Sequence, residues 1–277
     1  MRKIKLDEIG YWSEMKLDII RKYAAAYSAI MSRQSCINSH HYIDGFAGAG
    51  VHISKNTKEF VPGSPTNALK VNPPFDKYHF IDLNGDKAEL LREIGDGNPK
   101  VEVYEGDCNR LLLDRIFPLI KYENYDRALC LLDPYGLHLD WEVMYNAGQS
   151  NATEIFLNFP VMDMNMNVLR HDRKKVDQRQ IGRMNAFWGD ESWREAAYEK
   201  QPGLFDKIEE KTSNRAMVRA FRERLKKVAG FAYVPEPLPM RNTTGATVYY
   251  LFFASPNETG GKIVREIFNM YRDRGLV

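Results

Sequence analysis

Five segments in a row read as strands, and each stops on a polar or glycine-containing turn. Residues 41–44 run into Gly45-Phe-Ala-Gly48-Ala-Gly50, residues 78–83 close on Asp82-Leu-Asn84, and residues 101–104 on Glu105-Gly-Asp107-Cys108. Residues 128–132 lead into Asp133-Pro-Tyr-Gly136, and residues 155–159 carry Asn158-Phe-Pro160. Helical stretches lie between them, at 63–70 (Ser64 as cap, Pro65 in the first turn), 86–94, 109–120 and 141–147. Alternation of this kind predicts a parallel sheet, because each return to a parallel strand needs a crossover. Ligands of an open parallel sheet bind at the carboxyl ends of its strands. The five polar stops are therefore expected on one rim.

The flanking segments fit around this sheet. Apolar Leu17, Ile20, Tyr23, Ala24, Tyr27 and Ile30 predict a helix capped by Ser13 and ended by the polar stretch 32–39. Residues 51–62 read as a loop. Residues 160–210 are polar and charged and carry no strand signal. A helix follows at about 213–229, then strands at 231–234 and 247–254, antiparallel and adjacent, and an amphipathic helix at 258–271. The organisation is one domain over 1–277, with a helical extension to residue 40 and an insertion at 160–212 that serves as a lid or docking surface. No internal repeat and no low-complexity tract is present.

Composition removes several function classes. The 39 Lys and Arg nearly balance the 37 Asp and Glu, which excludes a strongly basic, non-specific nucleic-acid coater but leaves room for a local basic groove. No apolar run reaches the roughly 20 residues that span a bilayer, and the basic N-terminus lacks an apolar signal core. A membrane role is not expected. Cys36, Cys108 and Cys130 are scattered and odd in number, so neither a zinc site nor a disulfide framework is expected, and a reducing cytoplasmic setting fits.

Each strand end carries a specific chemistry. Gly48 and Gly50 let backbone pass close to a ligand. Asp82 can accept both hydroxyls of a ribose, although Asn84 and Asp86 beside it also suit a helix cap. Asp107 can accept from an adenine amino group, or cap the helix that follows. The pattern Asp-x-Phe-x-Gly-x-Gly, an acid after the second strand, and Gly-Asp after the third resembles class I S-adenosylmethionine-dependent methyltransferases. The resemblance covers about residues 41–160 and the late strand pair. It implies a Rossmann-like α/β fold with a mostly parallel seven-stranded sheet and helices on both faces. It also implies S-adenosylmethionine as cofactor, with Asp44, Phe46, Gly48 and Gly50 at its amino-acid part, Asp82 on the ribose and Asp107 near the adenine. A long helix before the first strand often lies across the cofactor mouth in that family, which puts Lys16 at the site.

The fourth-strand stop points to the methyl acceptor. Amino-group methyltransferases carry Asp/Asn/Ser-Pro-Pro-aromatic here, and Asp133-Pro134-Tyr135-Gly136, one proline short, resembles the Asp-Pro-Phe-Gly of transfer-RNA guanine N2 methyltransferases. An exocyclic amine needs an acceptor, and a planar base needs a stacking partner. That implies Asp133 and the Pro134 carbonyl as acceptors and Tyr135 as the stacking ring, with an RNA or DNA base as target. Trp12-Ser-Glu-x-Lys16-Leu, residues 42–50, Gly63-Ser-Pro65, Phe80-Ile-Asp82 and residues 132–136 together resemble the three-Cys-motif partner protein family. That second resemblance spans most of the chain. It carries an alternative: a non-catalytic methyltransferase-like subunit that docks a protein bearing cysteine motifs.

Other features weigh less. Asn72-Pro-Pro-Phe75 matches the amino-methyltransferase tetrapeptide but falls at the wrong end of the sheet, where it stops a helix. Residues 170–175, with Arg179 and Arg183, form the densest basic stretch, suited to phosphates or to a solvated helix face. The cations at 215–227 alternate with an apolar stripe and read as a solvated face. Trp188 and Trp193 either stack on a base or anchor a small lid, His52 either faces the site or, the favoured reading, is a surface loop residue, and Cys130 reads as core. A nucleotide-dependent dehydrogenase is disfavoured, because no third glycine follows Gly50. Gly260-Gly-Lys262 lacks the spacing of a P-loop.

Overall fold

The computed structural model describes residues 6–170, 176–202, 207–242 and 244–272. The chain begins with β1 (Glu8–Ile9) and α1 (Tyr11–Met31), followed by β2 (Ser39–Asp44), β3 (Val51–Ser54), β4 (Phe60–Pro62) and α2 (Ser64–Leu69). Next come β5 (Lys77–Asp82), α3 (Gly85–Ile94), β6 (Val101–Glu105), α4 (Cys108–Leu111), β7 (Asp126–Leu132), α5 (Trp141–Gln149) and β8 (Thr153–Phe159). The insertion holds α6 (Val161–Asn167), α7 (Gln178–Trp188), α8 (Trp193–Ala197), β9 (Tyr198–Pro202) and β10 (Lys207–Lys211). The chain closes with α9 (Asn214–Lys227), β11 (Leu238–Arg241), β12 (Thr247–Ala254) and α10 (Glu258–Arg272).

The principal sheet has seven strands in the order β6-β5-β2-β7-β8-β12-β11. The first five are mutually parallel, and β12 enters antiparallel between β8 and β11. The order departs from the doubly wound 3-2-1-4-5-6 at that edge alone. Alternate residues feed two separate cores, as the two-residue strand period requires. Leu129 and Leu131 of β7 join Tyr23, Tyr27 and Phe268 beneath α1 and α10. Ala128, Cys130 and Leu132 join Trp141, Phe187 and Phe221 beneath α5, α7 and α9. Burial on both faces explains why β7 and β8 are almost continuously apolar. Among the described residues, no helix is long and apolar enough to cross a membrane.

Five sequence expectations are corrected. Residues 51–62 are not a loop: β3 and β4 form a hairpin, and β1 adds parallel to β3. Val51, Ile53, Phe60 and Val61 are good strand formers, but the polar turn between them hides the pattern. The insertion contains an antiparallel hairpin, β9–β10, whose sequence has too few apolar residues to signal strands. Residues 231–234 make only one isolated bridge, Tyr233 to Ser255, because Pro235 and Pro237 supply no N–H; the edge strand starts at Leu238 instead. The helix expected over 109–120 is α-helical only to Leu111, then becomes a π-turn over Leu112–Ile116 and a 3₁₀-turn over Phe117–Leu119 containing Pro118. Gly10 and Gly63, rather than Ser13 and Ser64, occupy the cap positions of α1 and α2.

Three buried titratable side chains set opposing pH responses. Glu154 on β8 accepts from Tyr23 Oη at 2.5 Å and from Ser255 Oγ at 2.8 Å. Burial pushes its carboxyl up to about 7. His41 and His79 stack on neighbouring strands, Nδ1 to Nε2 at 3.0 Å, and burial pulls both down to about 4. Between about pH 4.5 and 7 the folded Glu154 binds more proton than the unfolded one, so its contribution falls as pH rises. Between about pH 4 and 6.5 the histidines are charged only when unfolded, so theirs rises. Glu154→Gln removes the falling contribution. Its stability should therefore climb from pH 4.5 to 7 by roughly 2 kcal/mol more than the wild type's. Urea midpoints at the two pH values check this, and parallel profiles would refute the assignment.

Candidate functional site

The carboxyl ends of β2, β5, β6, β7 and β8 open onto a cleft of about 1370 Å³. It sits where the strand order reverses between β2 and β7, the position open α/β sheets use for ligands. Lys16, Phe46, Gly48, Asp82, Asp107 and Asp133 all line it, with Pro134 and Tyr135 beside them. The cleft exceeds the roughly 300–1,000 Å³ usual for one small ligand, so it has room for two molecules to meet.

The loop after β2 is fixed by backbone bonds to both neighbouring strands. Gly45 N–H donates to the Leu131 carbonyl and Ala47 N–H to the Ile81 carbonyl, each at 2.9 Å. Gly48, at φ +65°, then turns its N–H to Asp82 Oδ2 at 2.9 Å. A side chain there would be strained by the left-handed backbone, although no atom blocks the space. Asp82 Oδ1 accepts from Asn84 N–H at 2.8 Å, and Asn84, not Asp82, caps α3. Asp82 keeps lone pairs facing the cleft, since each oxygen carries two. Leu83 beside it is 75% exposed, an apolar platform at the rim. Asp107 accepts from Arg110 N–H at 3.1 Å and so caps α4 while lining the cleft.

Asp44 and Gly50 fall outside the cleft lining. Asp44 is fully buried beneath the loop; Oδ1 accepts from Phe46 N–H at 3.2 Å, and the Ser64 hydroxyl also bears on the carboxyl. Burial pushes this carboxyl up to about 7, against the opposing effects of Ser64, Phe46 N–H and Lys16. The Gly50 carbonyl accepts from Gly63 N–H at 2.8 Å and Thr66 Oγ1 at 2.7 Å, which holds the β3–β4 hairpin against α2.

The other half of the cleft centres on Asp133. Lys16, 7% exposed, reaches from α1 to ion-pair with Asp133 Oδ2, and its ammonium lies 5.5 Å from the centre of the Tyr249 ring. Asn158, near the end of β8, donates from Nδ2 to Asp133 Oδ1 at 2.9 Å. Tyr135 is 93% exposed at the mouth. Gly136 turns the chain at φ +69°, and a Cβ there would lie 2.7 Å from Asp163 Oδ2. The same oxygen accepts from Leu137 N–H at 3.1 Å and pairs with Arg183 at 3.2 Å, so Arg183 props the loop rather than pointing free into solvent.

His52 lines the cleft from β3 with its Nδ1 buried and unpaired, and burial pulls its pKa down. Burial pushes the Cys108 and Cys130 thiols well up, which keeps both from the thiolate form. Trp188 and Trp193 are buried, and they donate to Ser192 Oγ and Asn185 Oδ1 at 3.0 and 2.8 Å; they anchor the insertion and offer no free ring face. Phe75 is core and its segment lies away from the cleft, in keeping with a helix-stopping role for Asn72-Pro-Pro-Phe75. Of the basic stretch at 170–175, residues 171–175 lie outside the described residues; Arg170 and Arg179 are exposed. On α9, Arg215 and Arg219 are exposed while Arg222 and Arg224 pair with Glu236 and Asp190. Among the described residues no group of three or more His, Cys, Asp or Glu is placed to hold a metal.

Leu83 and Tyr249 are among the cleft residues that sequence reasoning did not select, and Asn158, expected on the rim within the fifth polar stop, carried no assigned role. Leu83 was findable as the residue after a strand-ending acid, and a role for Asn158 from its place as a lone polar residue near the end of an apolar strand. Tyr249 carries no local signal, because its place depends on β12 crossing the sheet beside α1.

No family model matches this chain, and no curated protein matches it in sequence. Among solved structures it is similar to protein LPL1258 from Legionella pneumophila str. Philadelphia 1, described under the family model DUF519. The TM-score is 0.57 at 12% identity, over 93% of this chain and 91% of that one. At that identity the likeness establishes the fold. Two further structures resemble the chain less. The DszA carbon methyltransferase has a TM-score of 0.42 at 12% identity, over 86% of this chain and 54% of that one. A putative methyltransferase from Thermobifida fusca YX has a TM-score of 0.41 at 13% identity, over 86% and 80%. Neither of these two bears on the reading below.

Proposed function

We propose that this chain is an S-adenosylmethionine-dependent methyltransferase of the class I type, acting on an exocyclic amine of a nucleic acid. The observation that carries the reading is the convergence of the glycine loop, Asp82, Asp107 and Asp133 on one cleft at the switch point of the sheet. The residues fit the cofactor on a second count: Gly48 lines the cleft at φ +65°, and a Cβ there would meet nothing nearer than His52 at 3.9 Å, so bare backbone faces the space a ligand would fill. In this reading Asp82 accepts the ribose hydroxyls, Asp107 faces the adenine amine, and Leu83 underlies the ring. The loop at Asp44, Phe46, Gly48 and Gly50 shapes the amino-acid end, with Lys16 at its mouth.

When bound, S-adenosylmethionine supplies an electrophilic methyl group on a sulfonium that leaves as a neutral thioether. The chain's part is to hold the amine. Asp133 and the Pro134 carbonyl accept its N–H groups, Tyr135 stacks on the base, and the Lys16 and Asn158 contacts keep the carboxylate from swinging. The amine held there would supply the lone pair for the new N–C bond, and the cofactor would keep the S–C electron pair. The nitrogen, made acidic by that bond, releases its proton to the Asp133 carboxylate. Positioning and electrostatics supply the rate, with no covalent enzyme intermediate.

The resemblance to three-Cys-motif partner proteins supports a second reading, a non-catalytic subunit. One observation favours it: both Asp133 oxygens already have donors within the chain. Incubation with methyl-labelled S-adenosylmethionine and mixed RNA, DNA and protein separates the two. The enzyme reading expects label in nucleic acid. Cofactor binding with no label anywhere, even with a cysteine-motif partner present, would favour the subunit; label in protein alone would overturn the substrate class.

A further inference from the structure

Asn158 holds an unused hydrogen-bond acceptor beside Asp133. Its Nδ2 donates to Asp133 Oδ1 at 2.9 Å. A carboxylate accepts only, so the amide must face it through NH₂, and that turns Oδ1 the other way. Oδ1 is buried and has no partner. Leaving such a group unpaired costs roughly 1–3 kcal/mol, and an apolar residue of similar size would avoid the cost. Asn158 also lines the cleft, next to the group assigned above to the target amine.

We infer that Asn158 is a specificity-determining residue: its Oδ1 accepts one N–H of the target amine while the Asp133–Pro134 pair accepts the other. The inference rests on the methyltransferase reading and deepens it. A primary amine brings two N–H donors, a hydroxyl or thiol only one, and a carbon nucleophile none. Two acceptors side by side therefore pair fully with –NH₂ and leave one acceptor stranded with any other nucleophile. Sites that leave a buried polar group unpaired against the wrong substrate discriminate strongly.

The test needs no substrate. Sinefungin carries an amine-bearing carbon where S-adenosylmethionine has its methyl sulfonium, so it presents N–H donors at the reacting centre; S-adenosylhomocysteine presents none. Calorimetry of both ligands with the full chain gives an affinity ratio. Asn158→Val should lower the sinefungin preference by roughly 10–100-fold, the scale of one hydrogen bond to a charged donor. Its affinity for S-adenosylhomocysteine, which brings no N–H donor to that point, should stay within about threefold. Asn158→Thr, isosteric with valine and carrying one acceptor, should retain part of the preference. An unchanged ratio in Asn158→Val overturns the inference. So does an equal loss for both ligands, which would assign Oδ1 to the cofactor. Wild-type protein that binds neither ligand would overturn the methyltransferase reading itself.

Discussion

Replacing Asp133 by alanine is expected to reduce methyl transfer by about 10³-fold or more, with affinity for S-adenosylmethionine kept within a few-fold. Removing one preorganised group at a reacting centre costs on the order of 10²–10³ in rate. Here the loss is larger because three things go at once: the acceptor, the partner of Lys16 and the partner of Asn158. Lys16 is nearly buried, and stripping a buried cation of its anion costs roughly 3–5 kcal/mol of stability. Asp133→Ala should therefore also lower the unfolding midpoint, and rates are to be compared well below it. Asp133→Asn separates the effects. It keeps the shape and one acceptor, so it should fold better than the alanine variant and transfer at an intermediate rate. Single-turnover assays beside equilibrium cofactor titration check both. Wild-type turnover in Asp133→Ala would show that the active centre lies elsewhere.

Asp82→Ala should show the reverse division, a loss in cofactor binding ahead of any loss in chemistry. Asp82 faces the cleft with each oxygen already steered by a backbone N–H, from Gly48 on one side and Asn84 on the other. That fixes the carboxylate for two hydroxyls. Hydrogen bonds to a charged group are worth roughly 1.5–3 kcal/mol, so affinity should fall about 10–150-fold. The loss should follow the ribose: adenosine should bind the variant more weakly than the wild type, while adenine should bind both alike. Equal losses for adenine and adenosine would assign Asp82 to the loop alone, as the acceptor that holds Gly48.

The sheet and its polar stops were legible because β2, β5, β7 and β8 are buried on both faces. The apolar runs of β7 and β8 are dense, and each of the four strands meets a polar or glycine-containing turn where it reaches the rim. Short strands away from that core were not legible. The β3–β4 hairpin is interrupted by a polar turn, and β9–β10 carries little apolar signal. The strand expected at 231–234 failed because two prolines follow it and remove donors a sheet needs. Within the site, Gly48, Asp82, Asp107 and Asp133 came together by strand position and Lys16 joined them from α1, whereas Asp44 stayed buried beneath the loop. Gly50 followed the motif but turned toward α2. The ring of Tyr249, the free oxygen of Asn158 and the bond from Arg183 to Asp163 depend on side-chain directions, which spacing along the chain does not encode.

The structure of a crystal grown or soaked with S-adenosylhomocysteine tests the central reading most directly. One molecule is expected in the 1370 Å³ cleft, its ribose hydroxyls within hydrogen-bonding distance of Asp82, its adenine beside Leu83 and Asp107, and its sulfur turned toward Asp133. An empty cleft at millimolar ligand, or a molecule bound with its ribose away from Asp82, would contradict it.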